Sequence, residues 1–209
     1  MKTIGFIGIG NMGKGMVLRL KSRGYKVVGH NRSSEPLYDL AEEKIEVAFS
    51  VEELCSKLGK NKLIWLMLPK DSVEIVLQKL KPLLAKDDTI IDGGDSNYDD
   101  SERRAKEFEL VGVNFLDAGV IGSPETVIEG VTLVVGGRSE VFEKHEGVFS
   151  ALAIKDSYAY VGKSGAGHFV KKHYLDSHSK IEKIIEKRNE TLRRSPYNID
   201  IDEIMNLTI

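Results

Sequence analysis

One cysteine, one tryptophan and five prolines are all that 209 residues contain of three residue types that cross-link, anchor or break a chain. Cys55 has no partner for an internal disulfide, so the fold must rest on its core, and the thiol is expected to be a small buried or half-buried one. Long apolar runs are missing too. The longest, Leu63 to Leu68, falls far short of the roughly 20 residues a membrane helix needs. An excess of one charge is also absent: 30 Lys and Arg stand against 32 Asp and Glu, a formal net charge of -2. That balance argues against nucleic acid or a membrane surface as partner, because either calls for a strongly basic field. Met1-Lys2-Thr3-Ile4 runs straight into a strand rather than into a charged leader with an apolar core. The expectation is a soluble, cytoplasmic protein that acts on a small molecule.

What is present is ordinary globular composition, 41% hydrophobic and 30% charged, with length for one full domain and a smaller appendage. Short apolar strands alternate with amphipathic segments. Strands are expected at Thr3–Ile7, Lys26–His30, Glu46–Ala48, Leu63–Leu68, Thr89–Asp92, Asn114–Asp117, Val131–Val135 and Ala159–Val161. Helices are expected near Gly13–Arg23, Pro36–Glu43, Val51–Leu58, Ser72–Leu84, Asp99–Leu110 and Glu140–Leu152. The unbroken apolar run Leu63-Ile64-Trp65-Leu66-Met67-Leu68 fits a strand buried on both faces. The pattern predicts an α/β fold, a Rossmann-type, doubly wound, mostly parallel sheet over residues 1–163. Residues 164–209 read as a helical extension, a charged helix from about Ala166 to Arg194, a Ser195-Pro196-Tyr197-Asn198 break, and the first turns of another helix at Asp200–Met205.

Gly8-Ile9-Gly10-Asn11-Met12-Gly13 closes the first strand and opens the first helix, the context in which a G-x-G-x-x-G run cradles a pyrophosphate. In that role Gly8 makes the tight turn, Gly10 lets the backbone approach the phosphates, and Gly13 lets the helix pack closely on the strand. The helix N-terminus supplies free N–H groups and partial positive charge. A carboxylate at the end of the second strand would bind the ribose hydroxyls of NAD and repel a 2'-phosphate. This chain has His30-Asn31-Arg32-Ser33-Ser34 there, so Arg32, with hydrogen-bond donors on Asn31 and Ser33, favours NADP.

Several stretches together resemble the decarboxylating 6-phosphogluconate dehydrogenases, within the β-hydroxyacid dehydrogenases. They are the glycine loop, Asn31-Arg32-Ser33, Met67-Leu68-Pro69, Ile91-Asp92-Gly93-Gly94-Asp95-Ser96, Arg103-Arg104, Phe115-Leu116-Asp117-Ala118-Gly119-Val120, Gly136-Gly137, Gly165-Ala166-Gly167-His168-Phe169-Val170-Lys171 and Ser195-Pro196-Tyr197. The resemblance covers nearly the whole chain. It implies NADP as cofactor, held also by Met67, Leu68, Pro69 and Asp95, and oxidative decarboxylation of 6-phosphogluconate to ribulose 5-phosphate in the pentose phosphate pathway. It places Lys171 at the family's base lysine, and Asp95, Ile121, Gly122, Ser123, Lys171 and Tyr174 on the substrate.

The resemblance also has departures. The family's histidine and asparagine three and four positions beyond the lysine become Tyr174 and Leu175, and its acid glutamate becomes His178, an imidazole able to serve as acid near neutrality. A one-residue slip would put His173 at the family histidine's place. The family's GVSGG becomes Gly119-Val120-Ile121-Gly122-Ser123, replacing a substrate-binding serine with an apolar side chain. Its DGGNS becomes Asp92-Gly93-Gly94-Asp95-Ser96, where an ionised Asp95 only accepts hydrogen bonds and repels an anionic sugar acid unless protonated or paired. The implied protein is a 6-phosphogluconate dehydrogenase-like NADP binder with activity weak or lost. Two other readings stand beside it: an active reductase or dehydrogenase of a smaller β-hydroxyacid with Lys171 as base and His178 as acid, and a non-enzymatic nucleotide-binding or interaction protein. The tail is expected to pack on its own domain or on a second copy, making a homodimer through the C-terminal helix.

Overall fold

A computed structural model describes residues 3–175 and residue 197. The expected helix end at Arg194, the Asp200–Met205 helix and the dimer contact lie outside these residues. Eight strands form one sheet in the order β3-β2-β1-β4-β5-β6-β7-β8. They are β1 (Thr3–Ile7), β2 (Lys26–His30), β3 (Glu46–Ala48), β4 (Leu63–Leu66), β5 (Thr89–Asp92), β6 (Asn114–Ile121), β7 (Val131–Gly136) and β8 (Ala153–Gly162). Helices α1 (Asn11–Ser22), α2 (Glu35–Glu42), α3 (Val51–Lys57), α4 (Lys70–Leu80), α5 (Tyr98–Glu109), α6 (Ser139–Leu152) and α7 (Ala166–Leu175) connect or follow them.

The first six strands run parallel; β7 pairs antiparallel to β6, and β8 parallel to β7. The chain order reverses beside β1, where β2 and β3 lie on one side and β4 on the other. That switch point leaves a crevice at the carboxyl ends of the strands. Two apolar clusters pack the two faces: Phe6, Met16, Leu20, Trp65, Leu133 and Phe149 fill one, and Ile7, Leu54, Ile64, Leu66, Leu77 and Ile90 the other.

Strand boundaries differ from the sequence reading by more than one residue in three places, and β7 runs one residue further, to Gly136. β4 stops at Leu66, because Met67 hands its N–H to Ile7 O (2.8 Å) while Leu68 and Pro69 turn away, Pro69 standing at the N-cap of α4. β6 runs on through Gly119 to Ile121, sustained by its pairing with β7. β8 begins at Ala153 rather than Ala159, its register with β7 shifted between Val131 and Leu133. Such an irregularity breaks the alternation from which strands are read.

Buried Arg19 on α1 donates to the carbonyls of Ala151, Ile128, Glu129 and Ala153. The end of α6 and the connection into β7 are thereby tied to the helix that opens at the glycine loop. Partial negative charge at a helix C-terminus compensates a cation there, while burial holds the guanidinium pKa below its ordinary value.

Candidate functional site

Each glycine of the first βα turn has its own physical reason. Gly8 has φ +103, and a Cβ on it would stand 2.2 Å from Met67 O, so both backbone sign and space require glycine. A Cβ on Gly13 would stand 1.9 Å from Gly8 O, which fixes how closely α1 sits on the turn. Around Gly10 a Cβ would meet nothing within 4 Å. Packing does not exclude a side chain there; the open face is the one a ligand's phosphates would approach. Asn11 and Met12 begin α1, which has no side-chain cap and no acidic residue in its first turn. Its N–H groups are therefore left for an anion. The residues present thus fit a dinucleotide diphosphate.

Asn31 behaves differently from its reading as a cofactor donor. Its Oδ1 accepts from Ile9 N–H at 3.0 Å, and its Nδ2 donates to Ser33 O at 3.2 Å and Ser33 Oγ at 3.0 Å. The amide ties the glycine loop to the β2–α2 loop and so sets their shape. Ile9 points its side chain into the core, leaving only its backbone at the turn.

A cavity of about 530 Å³ opens beside the turn. Gly8, Gly10, Asn31, Arg32, Ser33, Met67, Leu68 and Pro69, all named from the sequence, line it together. Asn11, Met12 and Gly13 are not on its wall. Phe49, Ile75, Val76, Glu52 and Lys79 also line it and were not foreseen. Phe49 and Ile75 are each more than half exposed, an apolar pair open to a flat ring. Of the charged lining residues, Arg32 and Lys79 are cations and Glu52 is an anion, so positive charge prevails. Backbone N–H and the Ser50 hydroxyl hold the Glu52 carboxyl below the usual range, with Lys79 contributing.

At the end of β5, buried Asp92 organises the next loop. Its Oδ1 accepts from Gly94 N–H (3.1 Å) and its Oδ2 from Ser96 Oγ (2.7 Å) and Arg104 Nη1 (3.2 Å). Arg104 is itself buried and reaches Glu74 through Nε. The loop projects Asp95, 86% exposed, toward α7, where Lys171 Nζ donates to Asp95 Oδ1 at 3.2 Å.

α7 is seated by backbone-to-backbone approach. A Cβ on Gly119 would stand 2.6 Å from Gly167 O and 2.8 Å from Lys171 Cβ. Fully buried Asp117 accepts from Gly165 N–H (2.6 Å) and His168 N–H (2.9 Å), holding the first turn of the helix. Burial raises the Asp117 carboxyl pKa, against those hydrogen bonds and His168. Ser101 Oγ and His168 Nδ1 lie 2.8 Å apart across α5 and α7, and Tyr197 packs against Tyr98 and Phe169.

Ile121 ends β6 half-buried against the cluster around α7; Gly122 and Ser123 follow, with Ser123 Oγ 3.3 Å from Thr126 Oγ1. Tyr174 falls in the last turn of α7 with its side chain outside the described residues, and His178 lies outside them altogether. Among the described residues no cluster of His, Cys, Asp and Glu could hold a metal ion, and no helix is long and apolar enough to cross a membrane.

Fold, glycine turn and crevice define a Rossmann-type pyridine-nucleotide-binding protein. Residues 3–162 match the family described as the NAD binding domain of 6-phosphogluconate dehydrogenase, and the chain belongs to that family. It is 34% identical over 203 residues to the NAD(+)-dependent decarboxylating 6-phosphogluconate dehydrogenase of Haloferax volcanii, covering 96% of this chain and 67% of that one. It is 35% identical over 179 residues to the NADP(+)-dependent decarboxylating enzyme of Bacillus subtilis, covering 81% and 38%. The solved Plasmodium falciparum 6-phosphogluconate dehydrogenase superposes with a TM-score of 0.76 at 26% identity, covering 82% and 39%. The chain therefore spans about two thirds of one of these relatives and under half of the other two.

Proposed function

We propose that this chain is an NADP-binding 6-phosphogluconate dehydrogenase-like protein in which oxidative decarboxylation of 6-phosphogluconate is weak or absent. Residues 1–163 are the nucleotide domain in this reading and 164–209 its helical extension. The cofactor side rests on the cavity wall, where Arg32 and Lys79 outweigh Glu52 and no carboxylate follows β2 until Glu35. NADP, when bound, accepts a hydride. The chain's own part is to seat the diphosphate on the Gly8–Gly13 turn and to manage the substrate's proton at Lys171 Nζ.

The weakness is carried by one observation: Lys171, the residue assigned to proton transfer, is engaged by Asp95 at 3.2 Å. A substrate must displace Asp95 to reach that nitrogen, and Ile121 and His178 stand where the resemblance puts the family's substrate serine and acid glutamate. The test pairs an NADPH binding titration with NADP-linked absorbance change on adding 6-phosphogluconate, the Bacillus subtilis enzyme measured alongside. Binding in the roughly micromolar range is expected, with turnover at least about 10²-fold below that relative. No NADPH binding by a folded chain, or turnover equal to the relative's, would sink the reading.

A further inference from the structure

His30 is nine-tenths buried at the carboxyl end of β2 and forms part of the cavity wall beside the glycine turn. Its backbone O accepts from Gly8 N–H at 2.9 Å, and its Nδ1 stands 2.9 Å from Ala48 O on β3. A carbonyl oxygen only accepts, so Nδ1 carries a proton, and the neutral ring is the tautomer with a bare lone pair on Nε2. That nitrogen has no hydrogen-bond partner among the described residues. It is not one of the fully enclosed unpartnered nitrogens either, which belong to Trp65 and His168. Nε2 is therefore open to the cavity.

In the neutral ring Nε2 only accepts, so it suits a hydroxyl better than a phosphate, whose oxygens bring lone pairs of their own. With a second proton the ring is a cation that donates from Nε2, and a phosphate becomes the better neighbour. Nδ1 donates to Ala48 O in both forms, so the proton is gained without turning the ring. The charged groups around it are Arg32 on the following loop, Glu52 and Glu53 on α3, and Lys79 on α4. The Glu52 carboxyl is held below the usual range by its own backbone N–H and the Ser50 hydroxyl, with Lys79 and His30 contributing. Lys57 and the Phe49 N–H do the same for Glu53, again with a contribution from His30. Both carboxylates thus keep their charge through the neutral range, where histidine is the residue type that changes its own.

We propose that His30 makes the choice between the two dinucleotides depend on pH: its protonated ring favours the 2'-phosphate of NADP, and its neutral ring gives that advantage up to NAD. This rests on the nucleotide seat read above, but the pH dependence does not follow from that seat alone.

The test measures the affinities of the intact chain for oxidised NADP and NAD by calorimetry, from about pH 8 to about pH 6. His30→Asn keeps a donor within reach of Ala48 O and removes Nε2; His30→Gln places near Nε2 a nitrogen that does not titrate. A 2'-phosphate itself titrates at about pH 6, alike for every chain, so the readout is the NADP-to-NAD affinity ratio of wild type relative to each variant. That relative ratio should rise roughly fivefold toward the acid end. A ratio moving in parallel in wild type and in whichever variant folds would overturn the proposal. Imidazole nitrogen NMR of the wild-type chain needs no variant. By linkage, bound NADP should move His30 protonation to higher pH than bound NAD does, and equal midpoints would overturn the proposal as well. A preference for NADP that ignores pH removes His30 and leaves the nucleotide reading standing, whereas a folded chain that binds neither dinucleotide removes both.

Discussion

Lys171 and Asp95 stand 76 positions apart and meet at 3.2 Å, joining the loop after β5 to the first turns of α7. The meeting is set by buried backbone on both sides and not by the strength of the pair. Asp92, three residues before Asp95, holds the loop from beneath, and Gly119 lets α7 approach β6 closely enough to bring Lys171 into reach. One carboxylate of this loop is therefore buried and architectural, and the other is exposed and holds only Lys171.

Stability should separate those two carboxylates. Asp95→Ala removes an exposed, screened pair and should change unfolding free energy by less than about 1 kcal/mol. Asp92→Ala leaves buried Arg104 with Glu74 as its one remaining carboxylate and Ser96 and Gly94 without their Asp92 anchor, so about 3 kcal/mol or more should be lost. Urea denaturation of the two variants is the measurement. Similar costs would mean the loop is not built as described.

The glycine turn makes a second, sharper comparison. Gly10→Ala puts a methyl into open space, so stability should move by less than about 1 kcal/mol, while NADPH affinity should fall at least roughly tenfold as the methyl meets the ligand. Gly8→Ala collides with Met67 O at a positive φ and should cost more than about 1 kcal/mol before any ligand is added. Thermal unfolding with and without NADPH reads both effects.

The alternation of apolar runs with amphipathic segments made the order of strands and helices legible, because period and composition are local. The glycine turn was legible for the same reason, as six consecutive residues between a strand and a helix. What the sequence could not display were partnerships across the chain. Asn31 looked like a donor for cofactor, yet its amide is turned inward on Ile9 and Ser33. The repulsion expected of Asp95 is answered by Lys171, and only folding shows that. Arg19 did leave a signal: it follows Gly15 and Met16 at four and three positions, on a side of α1 that those small and apolar residues mark for burial. Phe49 and Ile75 left none, since an apolar residue exposed at a cavity mouth reads like any core residue.

Alkaline pH should act through Cys55. Burial pushes its thiol up to about 11, above its ordinary value, so the folded chain holds this proton more tightly than the unfolded chain does. Its stabilising contribution is full below the unfolded pKa and is lost as pH rises through about 11. In wild type the decline in stability over that window should be steeper than in Cys55→Ala. At moderately alkaline pH, well below that value, a thiol reagent should modify Cys55 only as fast as the chain opens, and immediate labelling of folded protein would contradict the buried, neutral thiol.

Cofactor preference should turn on Arg32. The side chain is exposed on the cavity wall, and among the described residues no hydrogen bond or ion pair engages it, so Arg32→Ala should leave stability within about 0.5 kcal/mol. A 2'-phosphate would lose a charge-assisted, bidentate partner, which costs on the order of tenfold or more in NADPH affinity. NADH has no group at that position and should be unaffected. Lys79 remains on the same wall, so the preference for NADPH should shrink rather than invert, and rising salt should shrink it further. Parallel NADPH and NADH titrations at two ionic strengths decide the matter. Equal losses for both dinucleotides would place Arg32 on the adenine or the diphosphate, and the preference would then have to come from Lys79.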